Sequence, residues 1–511
     1  MATPEKRTAP PRKQRPTWAP GRGMAMALVG LAVTGCSSLR PEFRAHEPPT
    51  APVYQQATAV PPPRADTRSG KVQLAGHQES NQLPDNEPPR QKITLPMAIE
   101  MCVNNNFRVL AGAERVRQAE GDLITSSLIP NPSLFADCQL IPLRNADINN
   151  PLGPPQWDVL VSIPIDWLLF GKRVAAMRAA SLGVDVSNAD AANVLRVQLA
   201  QTVDAFYEVL ADEEYLELAE KNLAELQDFE KVIDEMAKNK KAGNLERDRI
   251  KLAVHEAILE RHDRDLALQV AKARLRPFLG RSAADPDYEV EGTLKIAAMV
   301  PPPKLNEALA LAQMHRPDLI AARKAIDLAN AALIHERRRA KPQVSIQPGW
   351  TYQDQAHYTG FSNGSMLDLG IAMTLPLTDR NQGNIRKAQS LLLERQHNYQ
   401  GDRADALADV EASVATYEDA VEHLTLFNTP ETIKAAHELR KQMEGAYRSG
   451  ERRLIELLDA QKAYRDRLQH TIEFHSDYWR ALNRLNAAVG LKAHYAEKAP
   501  VQPVAPAGQK K

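Results

Sequence analysis

The sequence predicts a mainly α-helical chain with a small transmembrane β part, arranged as two tandem repeats of helix, strand, strand, long helix and helix. Three observations predict it. Only 5% of the 511 residues are aromatic, which suits long helices better than an all-β core. Apolar residues keep helical spacing through segments several tens of residues long. The chain also matches itself at an offset of about 210 residues.

The internal match is ordered. Leu95, Ala98, Val109, Ala111, Ala119 and Pro132 recur as Leu305, Ala308, Leu319, Ala321, Ala329 and Pro342. Pro164, Gly171 and Ala176 recur as Pro376, Gly383 and Ala388, and Gly243 and Gly450 mark a tight turn in each copy before Gly280 and Gly490 close it. Alanine-rich helices resemble one another by chance, but chance does not repeat prolines and glycines in order.

At the N-terminus, Arg12, Lys13, Arg15 and Arg22 precede an apolar run at residues 24–33. That run is too short to span a bilayer and reads as a signal-peptide core. The string V-T-G-C at 33–36 resembles a bacterial lipobox, so residues 1–35 are expected to be cleaved and Cys36 lipidated. Ser37, in place of Asp, favours the outer membrane by analogy with bacterial sorting. Residues 36–92 are rich in Pro, Gln and Ala without periodicity and read as a lipid-anchored linker. The first repeat covers 93–280, a linker 281–303, the second repeat 304–492 and a disordered tail 493–511. A helix of roughly 40 Å separates Cys102 from the strand with Cys138, far beyond the reach of a disulfide, so both thiols are expected to be small core hydrophobes.

Within each repeat, residues 95–127 and 305–340 read as helices that end near a proline. Two strands follow. Trp157, Val159, Val161, Ile163 and Ile165 alternate with Asp158, Ser162 and Asp166; Leu367, Leu369, Ile371, Met373 and Leu375 repeat the pattern against Asp368, Gly370, Ala372 and Thr374. The partner strands are Val344 with Ile346, Trp350 and Tyr352, and a poorer one at 134–140. Strands of about ten residues, apolar on one face, fit a transmembrane barrel. Four strands cannot close one, because about eight is the practical minimum and open edges do not survive in lipid. The chain must therefore share its barrel; three copies supply twelve strands and two supply eight.

Residues 172–238 form one long helical pattern of roughly 100 Å, with Leu216, Ala219, Leu223, Leu226 and Ile233 in heptad-like spacing. Helices at 95–127 and 244–279 have nearly the same summed length and are expected to stack end to end beside it. The second copy repeats this at 383–449, kinked near 428–430 by a proline, beside 305–340 and 451–488.

Function classes narrow in the same way. Lys+Arg and Asp+Glu are both 64, so no basic excess points to nucleic acid. No H-E-x-x-H, close Cys/His cluster, nucleophile elbow or phosphate loop is present. His255 with His262 and His470 with His475 read as surface or core-edge residues, since a stable site needs three or four ligands. Catalytic residues, a resident metal and a cofactor are not expected.

The segments L-P-M-A-I-E-M near Leu95, P-N-P-S-L at 130–134, S-I-P-I-D-W-L-L-F-G-K-R at 162–173 and A-Y-R-S-G at 446–450 resemble, in order and spacing, the TolC-like outer-membrane efflux protein family over residues 93–492. T-L-P-L-T-D-R-N-Q-G-N-I at 374–385 is closest to the branch that serves heavy-metal pumps of the CzcC and CusC type. The resemblance implies a homotrimer with a twelve-stranded barrel in outer-membrane lipid, continued by a periplasmic helical barrel. Its implied partners are a periplasmic adaptor (membrane fusion) protein and an inner-membrane RND pump, with heavy-metal cations as cargo. It places the adaptor-facing turns at Gly243 and Gly450 with Arg448, an acidic gate at Glu444, and strand-to-helix turns at Gly171 and Gly383. Lys240 and Lys241 make the first tip basic, and that turn lacks the family's usual hydroxyl residue. The same duct for drugs or secreted proteins is one alternative. A lipid-anchored coiled-coil scaffold is another, although it would not need the strands.

Overall fold

The computed structural model describes residues 91–141, 154–238 and 243–490. Cys36, Lys240, Lys241 and the expected tail lie outside the described residues. In chain order the first copy holds β1 (Gln91–Thr94), α1 (Leu95–Asn105), α2 (Phe107–Ser127), β2 (Ser133–Gln139), β3 (Gln156–Pro164), a one-turn α3 (Asp166–Leu169), α4 (Lys172–Lys238) and α5 (Asn244–Leu275). Between the copies lies β4 (Tyr288–Glu291). The second copy holds α6 (Leu305–His315), α7 (Pro317–Arg339), β5 (Val344–Gln353), a one-turn α8 (Ala356–Thr359), β6 (Gly364–Met373), α9 (Gln382–Glu422), α10 (Pro430–Arg448) and α11 (Leu454–Val489).

Two expected helices are each split. The 95–127 segment breaks at Asn106, whose extended backbone lets its carboxamide oxygen accept from the amides of Arg108 and Val109 and start α2 afresh. The 305–340 segment breaks at Arg316, because the ring of Pro317 disfavours helical backbone in the residue before it. The other long helices fall where their apolar spacing put them. The 383–449 helix is interrupted as expected, by a π turn at His423–Phe427 followed by Asn428 and Pro430.

One pairing carried no visible pattern. β1 and β4 lie parallel, with Ile93 opposite Val290. Four-residue strands hold too few alternations to stand out from a linker.

α4 is the spine. α2 packs along its first part and α5 along its second, so the short helices do stack beside the long one. On its other side lie α7 and then α11, and α9 sits beyond both. Ion pairs cross the α4–α5 contact at Arg247–Asp234 and Arg274–Glu208, and the Asn483 amide donates to the Ala200 carbonyl and Asp204 across α4–α11.

The two copies build matching cores. Phe206, Leu275, Leu279 and Cys102 of the first meet Tyr417, Leu485, Val489 and Ala312 of the second at the same offset. Each fully buried large apolar side chain contributes about 1.5–3 kcal/mol. A third core, Leu226, Ile233, Ile250, Val254, Tyr447, Leu454 and Leu457, welds the far ends of α4, α5, α10 and α11. No described helix is long and apolar enough to cross a membrane.

Candidate functional site

The larger sheet runs β2-β3-β5-β6, all antiparallel. Its register puts Trp157 beside Tyr352, Val159 beside Trp350 and Leu367, and Ile163 beside Ile346 and Ile371. That face is apolar from end to end, yet it is bare. Leu367, Leu369 and Ile371 are 86%, 78% and 75% exposed, while Asp158 and Thr351 on the opposite face are each 6% exposed. A soluble hairpin buries its apolar face, because each large apolar side chain left in water forgoes about 1.5–3 kcal/mol. The reversed arrangement suits lipid outside and water inside.

Aromatic side chains bracket the apolar band. Trp157, Tyr352 and Trp350 cluster near the loop end, with ring centroids 5.6 and 6.0 Å apart. Trp167 and Phe170 stand just beyond the other end of β3, where the Trp167 indole donates to the Pro164 carbonyl. Roughly eight strand steps of about 3.3 Å separate the groups, or about 26 Å, close to the apolar band of a membrane barrel.

The polar face carries one cluster across all four strands: Asp137, Asp158 and Thr351 lie side by side in register, and Asp368, opposite Gly349, stands diagonally next to Thr351. Gln139 donates to Asp137 and Asp158 at 2.9 and 3.0 Å, and Gln156 to Asp158 at 2.9 Å. The Thr351 hydroxyl donates to Asp158 at 2.6 Å and also touches Asp368. Gln353 continues the network to Gln156. The even positions in the sequence showed Asp158 and Asp368, but only the register set Asp158 opposite Asp137, and only the side-chain contact with Thr351 joined Asp368 to them.

Where strands become helices, side chains lock the turn. Lys172 bonds Asp166 and the Pro342 carbonyl at 2.7 and 2.9 Å, and Arg173 reaches the Ser127 carbonyl at 2.7 Å. Gly171 takes the left-handed conformation its turn requires, at φ 61°. At the matching turn Gly383 does not; it already lies inside α9, and Asn381 adopts φ 59° instead. Asn381 can hold that conformation because Asp379 accepts its amide hydrogen and its own carboxamide donates to Glu336.

The helix tips divide similarly. Gly243 precedes α5 in extended backbone, while Gly450 is left-handed at φ 82° between α10 and α11. Arg448 and Glu444 pair with each other at 2.7 Å, one helical turn apart. Among the described residues no group of His, Cys, Asp and Glu side chains is arranged to hold a metal.

Two edges remain open. Among the described residues the outer sides of β2 and β6 have no neighbouring strand. On α5, Leu245, Leu252, Leu259 and Leu266 recur every seven residues, each more than half exposed. That heptad spacing is a signal carried by the sequence alone and matches the seam of a coiled coil.

Residues 308–491 match the family model described as outer membrane efflux protein. The cobalt-zinc-cadmium resistance protein CzcC of Cupriavidus metallidurans is 24% identical over 373 residues, covering 72% of this chain and 83% of that protein. The pyoverdine export outer membrane protein OpmQ of Pseudomonas putida is 23% identical over 472 residues, covering 86% and 91%. Among solved structures, CusC superposes with a TM-score of 0.63 at 16% identity, over 81% of this chain and 99% of that one.

The second repeat, residues 308–491, therefore resembles the outer membrane efflux protein family. Members are channels of the outer membrane with a periplasmic helical part, not enzymes, and they work in tripartite systems with an adaptor and an inner-membrane pump. The inside-out sheet of this chain resembles the membrane part of those channels, and its α4 spine resembles their helical part.

Proposed function

We propose that three copies of this chain close into one duct that exports heavy-metal cations from the cell, in company with a periplasmic adaptor protein and an inner-membrane RND pump. The four-stranded sheet with a bare apolar face and two open edges carries the reading. A second copy's β2 laid against β6 continues the sheet, and the third closes it at twelve strands. The leucine line on α5 supports the same closure below the membrane.

The acidic row supports cation transit. Three carboxylates per copy give nine on the polar, lumen-side face of the closed barrel, and an acidic lining favours cations over anions. CzcC, by name a cobalt-zinc-cadmium resistance protein, agrees with that cargo. OpmQ, named for pyoverdine export, favours the competing reading of an organic cargo.

The remaining expectations belong to the same proposal. Cys36 is lipidated after removal of residues 1–35 and tethers the body through the 36–92 linker. Gly243, Gly450 and Arg448 face the adaptor, and Glu444 stands at the gate. Deleting the gene and profiling sensitivity decides the cargo: loss of tolerance to zinc, cobalt or cadmium is expected. Unchanged metal tolerance with heightened sensitivity to hydrophobic drugs, or loss of siderophore export, would overturn the metal assignment.

A further inference from the structure

The break between α9 and α10 is held in an unusual way. After the π turn the Asn428 amide bonds back to the His423 carbonyl at 3.1 Å, and Pro430 brings no N–H to the next turn. The carbonyl of Phe427 therefore turns outward, where the Arg467 guanidinium donates to it. The Asn428 carboxamide then meets three residues of α11 at successive turns: Arg467, Thr471 and His475.

These contacts dictate the protonation of the imidazole. A guanidinium only donates, so Arg467 at 3.3 Å orients the Asn428 oxygen toward itself. The Thr471 hydroxyl stands 3.0 Å from the same oxygen. The Asn428 nitrogen is left facing His475 Nε2 at 3.3 Å, and as a donor it needs that nitrogen bare. Turning the carboxamide over would aim its N–H groups at Arg467. A protonated ring would aim N–H against N–H.

We propose that His475 is an acid-released latch, which pins the α9–α10 kink to α11 while its ring is neutral and frees the kink when the ring gains a proton. The surroundings favour the neutral ring at ordinary pH: burial pushes the His475 imidazole below its usual range, and Lys295, from the segment after β4, adds to the effect. Other charged or titratable groups around the kink include Arg467, His470, Glu473 and Asp477 on α11, Asp419 with His423 on α9 and the π turn, and Glu422 and Glu431 at its two ends. His423 lies 3.7 Å from Asp419 and packs on Phe427 and Phe474, and His470 bonds Glu473 at 3.2 Å. None of these replaces His475 opposite the Asn428 nitrogen. The latch is independent of the cargo. Its consequence falls on α10, the helix that leads to Glu444, Arg448 and Gly450.

Hydrogen exchange on the full-length protein in detergent, stepped from pH 7.5 down to about 4 and corrected for the intrinsic chemical rate, tests it. The amides of 424–432 should lose protection on the order of tenfold at acid pH, the scale of one hydrogen bond turned repulsive. His475→Gln keeps a neutral acceptor at every pH and should abolish the change. His475→Lys should show the acid behaviour already at pH 7.5. An equal acid loss in wild type and His475→Gln, or no acid loss in wild type, would overturn the latch; this pair decides even where His475→Lys fails to fold.

Discussion

Arg316 Nη1 lies 2.7 Å from Asp409 and 3.1 Å from the carbonyl of Ala488, doing in the second repeat what the Asn106 carboxamide does in the first, where it meets Gln198 at 3.3 Å and the carbonyl of Phe278 at 3.4 Å. The paired positions are all offset by about 210 residues. One copy joins its short helix to its long helix with neutral amides and the other with a buried cation, which also bonds Asp318. Arg316→Ala strands the Ala488 carbonyl and leaves Asp318 to Arg196 and the Leu319 amide. It should cost about 2–4 kcal/mol, read as a lower thermal midpoint by circular dichroism. Arg316→Asn with Asp409→Gln copies the first repeat and should recover a measurable part of that loss; no recovery would mean that the two junctions are not equivalent.

The same junction sets an acid limb. Burial alone would raise the Asp318 carboxyl, but hydrogen bonds and charge from Arg316 outweigh it and hold the group below the usual carboxylate range. A folded-state value below the unfolded one means stability that is fully present above about pH 4 and lost as pH falls through the folded value. Wild-type stability should therefore decline on acidification in that window, and Arg316→Ala should decline less steeply there. Parallel acid limbs in the two proteins would contradict the assignment.

Glycine matters at only some of the conserved-looking turns of the repeat. A Cβ on Gly490 would stand 2.8 Å from the backbone of Arg316, and one on Gly280 2.4 Å from the Asn105 carbonyl, both at positive φ. Gly490→Ala and Gly280→Ala should each destabilise by about 2 kcal/mol or more. Gly243 has open space and ordinary backbone, so Gly243→Ala should stay within about 0.5 kcal/mol. Denaturant midpoints measured side by side would expose a reversed order.

The acidic row makes an electrical prediction. Asp158→Asn with Asp368→Asn should lower the cation-to-anion permeability ratio of the channel in planar bilayers, seen as a smaller reversal potential across a salt gradient. Assembly should be retained. Leu369→Arg, on the opposite face, should instead reduce barrel assembly at a cost of roughly 2–4 kcal/mol if it sits near the midplane. An unchanged reversal potential would remove the row from the conduction path.

The α5 seam predicts assembly. Leu252→Lys with Leu259→Lys should shift the mass of the detergent-extracted protein from trimer toward monomer in light scattering, with little change in helix content. A trimer that survives both charges would place the interface elsewhere.

Much of this protein was settled by its sequence. Period 3.6 and period 2 are local properties of the chain, so the α4 bounds, the proline kink near 428–430 and the four strands were legible before any tertiary structure. The duplication was legible too, and with it the conclusion that four strands cannot close alone. What the sequence did not disclose depends on contacts between distant segments. The pairing of β1 with β4, the register of Asp137 with Asp158 and the diagonal approach of Asp368, and the three-residue stripe that holds Asn428 each join residues that no local period relates. Even the left-handed turn before α9 fell to Asn381 and not Gly383, because the deciding bond is to Glu336 on another helix. Local periodicity dictates which elements form; register and packing decide which side chains meet, and here those meetings make the lumen row and the latch.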